Sequence, residues 1–309
     1  MEIRLPCNSA AANIRFLFLM RIIQKARRRF VEKMQALMAD DWPKPQYPPL
    51  LEDPVFLFIL TPPHSGSTAL AQVLNSGFTS TLLEERAEGQ WLVPGLCQKD
   101  RWNPNKYVDW ESVRAVWFSR LSFIERLVGS RNVVIEKSPP NMIRAETLLR
   151  AFPRHKVVVF NRNPYACCAS ILYRKHKPVE ISRDKRLETL KTVAVLWALR
   201  SDLLKTHVET FSPVSFTYEA FCKDPDNKVQ EVIAQVPELR GIDTKRKIRV
   251  KDYKPQGIFN QNERQIGNLS HEERKSIGEV LRPYEAVLRF FGYTSDWQKN
   301  IEQGGAGTA

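Results

Sequence analysis

Small polar residues, Ser65-Gly-Ser-Thr68, follow the apolar run Val55–Leu60 after a short turn and open a helical pattern. The N-terminus of a helix offers unpaired backbone N–H groups and a partial positive charge, so it binds phosphate-like anions. Gly66 lets the backbone approach an anion closely, and the hydroxyls of Ser67 and Thr68 add donors. The segment predicts an anion-binding turn, although an ordinary capped turn has a similar composition.

Arg162, Ser170 and Arg174 form a second group suited to an anion. Arg162 stands just after an apolar run, Ser170 follows eight residues later, and Arg174 lies one helical turn beyond Ser170. With Arg162 on the loop and the other two on the next helix, the three side chains can converge on one anion. A surface arginine beside a helix-interior serine is the plainer interpretation.

The Walker motif GxxxxGK[ST] fits the first turn poorly. Thr61 stands where the first glycine belongs, and Ser67 stands where the lysine belongs. A kinase or ATPase also needs an acidic Mg²⁺ ligand, and none is evident. The sequence therefore disfavours ATP chemistry.

The two segments resemble those of the sulfotransferases that use 3′-phosphoadenosine 5′-phosphosulfate (PAPS), particularly the branch of the tyrosylprotein sulfotransferases. The resemblance extends from about Val55 to Tyr293. It includes two further elements, Lys137-Ser-Pro139 between the anion segments and Tyr218-Glu-Ala-Phe221, which is similar to an element that follows a late strand in the family. Four matches in the right order identify the chain as a member of this family and imply a sulfotransferase enzyme.

The resemblance implies PAPS as the donor and its desulfated form, PAP, as a product. It places the 5′-phosphosulfate in the loop from Pro63 to Thr68, where Ser65, Gly66, Ser67 and Thr68 lie. By the same resemblance the 3′-phosphate and the nucleotide are bound by Arg162, Ser170, Arg174 and Tyr218.

His64 departs from the family pattern, which usually has Lys or Arg immediately before Ser-Gly. An unperturbed histidine has a pKa of about 6.5, so its charge depends on pH near neutrality. A neighbouring anionic donor favours the charged form. We predict that His64 contacts the donor.

Sulfuryl transfer requires that positive charge or hydrogen-bond donors stabilise the leaving phosphate. The candidates are His64, Ser67, Thr68 and Lys137, of which Lys137 carries the fixed charge. Lys137 follows an apolar run and precedes two prolines, so it is expected at the carboxyl end of a strand. A solvated surface lysine is the alternative.

A general base must take the proton of the acceptor. The resemblance to the tyrosylprotein-type branch places this base at Glu85 in the segment Thr81-Leu-Leu-Glu-Glu-Arg86. Glu84 and Glu88 are alternative positions for the base. A further alternative is that these carboxylates only form a solvated face of the protein. No metal ligand set is predicted.

An aromatic stretch between Trp91 and Phe118 predicts either a pocket for the acceptor or ordinary core packing. Asp100 and Asp109 lie within it and would tolerate a cationic acceptor. A small molecule with a hydroxyl or amine is the predicted acceptor, and a protein tyrosine or a glycan is the alternative.

The elements that position these residues follow from three apolar runs, Val55–Leu60, Val133–Ile135 and Val157–Phe160. Each is followed by a turn and a helical pattern, which is typical of buried parallel strands in βαβ units. We predict an α/β fold with a central parallel sheet, P-loop-like and flanked by helices on both faces. Residues 53–298 would form this single sulfotransferase domain.

The chain ends are predicted to lie outside the domain. Residues 1–52 form a basic helical extension and a Pro-rich linker, in which the amphipathic pattern of Ile14–Met38 packs on the domain or contacts a membrane surface. Residues 299–309 are too poor in large side chains to order and are predicted to be a disordered tail. The apolar run Phe16–Met20 is too short to span a bilayer.

Composition narrows the partners and the compartment. Lys and Arg exceed Asp and Glu by 13 (47 against 34), which suits nucleic acid, a membrane surface or an anionic small molecule. No nucleic-acid-binding motif accompanies the charge, so a non-catalytic anion-binding or nucleic-acid-binding protein is the weaker alternative. The five cysteines show no CxxC spacing, which favours a reducing compartment and a cytoplasmic location. The sequence leaves the oligomeric state open.

One basic segment, Lys245–Lys254, is followed by Gly257 and Arg264. Because a comparable late segment covers the nucleotide in the family, we predict that this segment covers PAPS.

Overall fold

Five parallel strands form one sheet in the computed structural model, which describes residues 53–175, 181–248 and 255–299. The order across the sheet is β2-β3-β1-β4-β5. The strands are β1 (Val55–Leu60), β2 (Ser80–Leu82), β3 (Val133–Glu136), β4 (His155–Asn161) and β5 (Val214–Thr217). The predicted extension (1–52), the tail beyond residue 299 and the basic residues 249–254 lie outside the described residues.

Helices connect the strands and continue after the sheet. They are α1 (Ser67–Leu74), α2 (Trp110–Val128), α3 (Ala145–Ala151), α4 (Pro164–Lys175), α5 (Arg183–Phe211), α6 (Tyr218–Lys223), α7 (Pro225–Gln235), α8 (Asn262–Gly267), α9 (His271–Leu281) and α10 (Glu285–Phe290). Short 3-10 helices are found at Gly89–Leu92, Lys99–Trp102, Pro139–Arg144 and Arg282–Tyr284.

The side chains of β1 alternate between two hydrophobic cores because successive residues of a strand point to opposite faces. Phe56 and Phe58 pack on one face with α2, α4 and α5. Leu57 and Ile59 pack on the other face with α1, α6 and α7. Every residue of β1 is buried, as expected for a parallel strand covered on both sides. The predicted α/β fold with helices on both faces is confirmed.

The three predicted strands are confirmed as β1, β3 and β4. β2 and β5 were not predicted, because they have only three and four residues and contain Ser or Thr. None of the helices in the described ranges combines the length and apolar composition needed to cross a bilayer.

The loops after β1 and β4 meet at one edge of the sheet. These strands are neighbours, and the helices that follow them, α1 and α4, pack on opposite faces. In open α/β sheets the ligand crevice lies at such a switch point, beyond the carboxyl ends of the strands. The two predicted anion segments therefore come together here.

Candidate functional site

The turn between β1 and α1 is built around Gly66. Gly66 has a φ of 85°, in the left-handed region that favours glycine. A Cβ at this position would lie 2.5 Å from Cδ2 of Tyr218, so the ring of Tyr218 packs directly on the turn. In this part of the chain no side chain caps the N-terminus of α1, which leaves its backbone N–H groups for a ligand.

The hydroxyls of the turn differ in their environments. Ser65 is fully buried and donates to the carbonyl of Pro62 at 2.9 Å, so it stabilises the turn itself. Ser67 and Thr68 are the first residues of α1 and are also buried. Their position at the helix N-terminus fits the predicted role as donors to an anion.

His64 connects the two anion segments. Its backbone has a φ of 67°, and its carbonyl oxygen accepts a hydrogen bond from Nη1 of Arg162 at 3.1 Å. Its Nδ1 shares a hydrogen bond of 2.9 Å with Oγ of Ser170 on α4. The structure thus brings His64, Arg162 and Ser170 into one cluster, whereas Arg174 lies exposed one turn further along α4.

Arg162 is a buried cation whose hydrogen-bond partners are neutral. Its Nε donates to Oδ1 of Asn262 at 2.8 Å, and its Nη2 donates to Oε1 of Gln265 at 3.0 Å. The guanidinium carbon lies 4.2 Å from the ring centroid of Tyr218. In the described ranges no carboxylate forms an ion pair with it. A buried charge without a counterion is unfavourable, so this group strongly favours an anionic ligand.

Glu219 lies behind this cluster and holds it together. Its Oε1 accepts hydrogen bonds from the side chain of Asn262 and from the backbone N–H of Asn163, the latter at 3.1 Å. Its Oε2 accepts from the hydroxyl of Tyr293 at 2.7 Å. The Tyr-Glu element thus has two roles, since Tyr218 packs on the turn and Glu219 anchors α8 and the loop after β4.

Lys137 and Glu88 form an ion pair at the end of β3. Nζ of Lys137 lies 2.7 Å from Oε1 of Glu88, and the lysine side chain is only 3% exposed. The other oxygen of Glu88 accepts from Gln90 and Trp91, both at 2.9 Å. Burial raises the pKa of the Glu88 carboxyl, but the charge of Lys137 and the hydrogen bonds from Lys137, Trp91 and Gln90 together outweigh burial, so the net pKa is lowered.

The other two carboxylates of this loop, Glu84 and Glu85, differ in their hydrogen bonds to the protein. Oε1 of Glu84 accepts from the backbone N–H groups of Arg86 and Glu88, at 2.7 and 2.6 Å. Burial raises the pKa of Glu84 despite these two bonds. Glu85 is exposed, and among the described residues it has no hydrogen bond or ion pair.

Glu136 is a functional-site neighbour that the sequence analysis missed. Its carboxyl is 1% exposed and accepts from the backbone of Gly89 at 2.8 Å, from the backbone of Ser138 at 2.9 Å and from the side chain of Asn141 at 2.7 Å. Burial raises its pKa to about 7, against the effect of these hydrogen bonds. It binds the loop of Glu88 to the loop of Lys137. The sequence feature that could have indicated Glu136 is its position as an acidic residue at the end of the apolar run Val133–Ile135.

The aromatic stretch has mixed roles. Trp117 is fully buried and donates to the carbonyl of Gly89, so it belongs to the core. Asp100 is paired with Lys106 at 2.5 Å, and Asp109 accepts backbone N–H groups as the N-cap of α2. Asp100 is thus paired with a cation, whereas the donors to Asp109 named here are uncharged, and a cationic acceptor stays a prediction.

The end of the predicted nucleotide cover reaches the site. Ile248 and Gln256 form an antiparallel bridge, and α8 contributes Asn262 and Gln265 to Arg162. Arg264, on the same helix, donates to Gln261 at 3.0 Å. Because residues 249–254 lie outside the described residues, covering of the nucleotide stays a prediction.

A separate cavity of about 490 Å³ lies between the start of α5 and the N-terminus of α9. It is lined by the ion pairs Arg183–Glu272 and Arg186–Glu273, so its charges are already neutralised. It is not the site described above.

A family model described as the sulfotransferase family matches residues 54–237, more than half of the chain. The chain belongs to the sulfotransferase family. The match includes both predicted anion segments, Lys137 and the Tyr-Glu element of this sulfotransferase, whereas Asn262 and Gln265 lie beyond it. A search of curated proteins gave no match.

Several solved structures are similar to this sulfotransferase. One from Mycobacterium avium is 12% identical with a TM-score of 0.49, and the alignment covers 84% of this chain and 81% of that one. One from Alicyclobacillus acidocaldarius is 16% identical with a TM-score of 0.46, covering 78% and 96%. A retinol dehydratase in complex with retinol and PAP is 15% identical with a TM-score of 0.30, covering 80% and 72%. Family membership rests on the family match.

Proposed function

We propose that this sulfotransferase uses PAPS as its donor and transfers the sulfuryl group to a hydroxyl or amine of a small molecule. The observation that carries the donor proposal is the buried guanidinium of Arg162. Its protein partners are neutral, and it lies beside the turn at the N-terminus of α1. An anion at this position satisfies a charge that the described protein leaves without a counterion.

Two anion-binding features side by side favour PAPS over ATP. The N-terminus of α1 offers one, and the cluster of Arg162 and Ser170 offers the other, with His64 between them. A nucleotide with phosphates on both its 3′ and 5′ positions presents two separate anionic groups, whereas the phosphates of ATP form one continuous chain. We therefore assign the 5′-phosphosulfate to the turn and the 3′-phosphate to Arg162 and Ser170.

PAPS, when bound, supplies an activated sulfuryl group. The chain's contribution is to hold positive charge and donors where negative charge increases on the leaving phosphate. The N–H groups of α1, the hydroxyls of Ser67 and Thr68, His64 and Lys137 would supply them. Lys137 is held by Glu88 before any ligand binds, so its position is set in advance.

We propose Glu85 as the general base, because it is the carboxylate of its loop with no protein partner among the described residues. Glu84 is bound to two backbone N–H groups, and Glu88 is bound to Lys137. A base must be available to the proton that it removes. The assignment agrees with the resemblance to the tyrosylprotein-type branch, which stays a prediction for this chain.

The donor proposal is tested by isothermal titration with PAP, ATP and single-stranded DNA at fixed salt. We expect PAP to bind at least about tenfold more tightly than ATP, since only PAP occupies both anion sites. Equal affinity for PAP and ATP, or tight binding of DNA alone, would contradict the proposal. Transfer of label from PAPS to compounds of a small-molecule extract tests the acceptor class, and label found only in protein would contradict it.

A further inference from the structure

Arg200, on α5, lies against the indole ring of Trp102. Its guanidinium carbon is 3.9 Å from the ring centroid, which is the close stacked arrangement of a cation and an aromatic ring. Arg200 is half-buried, and burial lowers its pKa to about 10. The side chain has therefore lost much of its hydration.

The guanidinium of Arg200 has no compensating acid nearby. Within the described part of the chain it forms no hydrogen bond and no ion pair. The charged groups that lie beside Trp102 along the chain are already bound, since Asp100 is paired with Lys106 and Arg144 donates two hydrogen bonds to the carbonyl of Arg101. Its five N–H groups are thus available on a largely desolvated cation, which favours a bound anion.

Arg200 lies at the edge of the sheet where the donor is proposed to bind. One turn earlier on α5, Nε1 of Trp197 donates to the carbonyl of Arg162 at 2.9 Å. The next residue, Ser201, accepts a hydrogen bond of 3.0 Å from Asn161 at the end of β4. The turn of α5 that carries Arg200 therefore packs directly on the loop that holds Arg162.

Trp102 reaches the same edge from the other side. The 3-10 helix Pro139–Arg144 begins two residues after Lys137, and Arg144 at its end binds the carbonyl of Arg101, the neighbour of Trp102. The Arg200–Trp102 pair thus connects the segment that follows Lys137 to the helix that packs on the loop of Arg162. Both residues lie on the sheet face opposite α1, because α5 and Trp102 pack in the core that excludes α1.

Resting on the proposed function, we propose that Arg200 and Trp102 form a subsite for the acceptor, and that the acceptor is an organic anion. The planar fork of Arg200 would bind a carboxylate or an existing sulfate on the acceptor with two parallel hydrogen bonds. The indole ring would hold the guanidinium in place and contact the apolar part of the acceptor. The charge of Asp100 does not oppose this, since it is already paired with Lys106.

The test uses the full chain saturated with PAP and two probes of one shape, benzoate and benzyl alcohol. Their dissociation constants are measured by titration at fixed salt. We expect benzoate to bind at least about tenfold more tightly than benzyl alcohol, the effect of one charge-assisted bidentate contact. Arg200→Met keeps the apolar stem on Trp102 but removes the charge, and it should abolish the preference. Arg200→Lys should restore part of it, because the charge returns without the fork.

Controls separate this inference from the donor proposal. The affinity for PAP should be unchanged in Arg200→Met. Arg150→Met removes an exposed arginine of α3 and should change the affinity for neither PAP nor benzoate. Equal binding of the two probes to the PAP-bound protein, or a preference for benzoate that survives in Arg200→Met, overturns the acceptor subsite. Failure of the wild-type protein to bind PAP overturns the proposed function instead.

Discussion

Replacement of Arg162 by Met should weaken the binding of PAP by an amount that follows from its hydrogen bonds. Three of the five N–H groups of this guanidinium are used by His64, Asn262 and Gln265, which leaves two for a phosphate. A hydrogen bond involving a charged group contributes about 1.5–3 kcal/mol, and each 1.4 kcal/mol is tenfold in affinity. Loss of one such bond should weaken PAP binding by about 10–10²-fold, and loss of both should weaken it by about 10²–10⁴-fold.

The assay is titration of PAP into wild type, Arg162→Met and Arg162→Lys at one salt concentration. Arg162→Lys keeps the charge but loses the planar fork, so its affinity should lie between the other two. Asn262→Leu removes the acceptor of the Nε hydrogen bond and leaves the charge, so it should weaken PAP less than Arg162→Met does. A melting temperature for each variant shows that the protein is folded. An unchanged dissociation constant in folded Arg162→Met would refute the assignment of the 3′-phosphate to Arg162.

Four further predictions concern the catalytic loops. Glu85→Gln should lower turnover of labelled PAPS by about 10²–10⁴-fold with near-normal PAP affinity, and normal turnover would exclude Glu85 as the base. His64→Lys should retain activity, and the activity should depend less on pH near neutrality, whereas His64→Ala should lower the affinity for PAP. If both variants show the pH profile of the wild type, His64 takes no part in the reaction. Lys137→Met should lower the free energy of unfolding in urea by about 3 kcal/mol, because the partly buried carboxylate of Glu88 loses its counterion. The added change Glu88→Leu should restore stability but not turnover, and restored turnover would argue against a role for Lys137. Burial raises the pKa of Glu136 from 4.5 to about 7 in the folded protein, so folding favours the protonated carboxyl. As pH rises from about 4.5 to 7, the wild type should therefore lose about 3 kcal/mol of unfolding free energy relative to Glu136→Gln. Stability curves of the two proteins that run parallel over this pH range would contradict the prediction.

The local sequence was enough to predict the elements that form the crevice. β1 and β4 are long apolar runs, and burial of a parallel strand on both faces requires such runs. The turn around Gly66 was predicted because small polar residues open a helical pattern directly after an apolar run, and the structure adds that Gly66 lies in the left-handed region. β2 and β5 were missed, because both are short and contain Ser or Thr, whereas the equally short β3 is an unbroken apolar run up to Glu136.

The candidate site was predicted in part. The order of the motifs placed His64, Arg162 and Ser170 in the anion site, and the structure brings all three together. Glu136 was missed because an acidic side chain in a strand is ordinarily expected to point to solvent, and only the packed loops around it supply its donors.

The parallel strands, the glycine turn and the order of the anion motifs could be read from the chain, because each depends on residues that are close together in sequence. Which charges have partners could not be read in this way, because the partners come from distant segments. Arg162 meets Asn262 from a helix a hundred residues away, whereas Arg200 meets Trp102 and no acid in the described ranges. The charge of a side chain is a property of its residue type, but its availability to a ligand depends on which distant groups folding places around it.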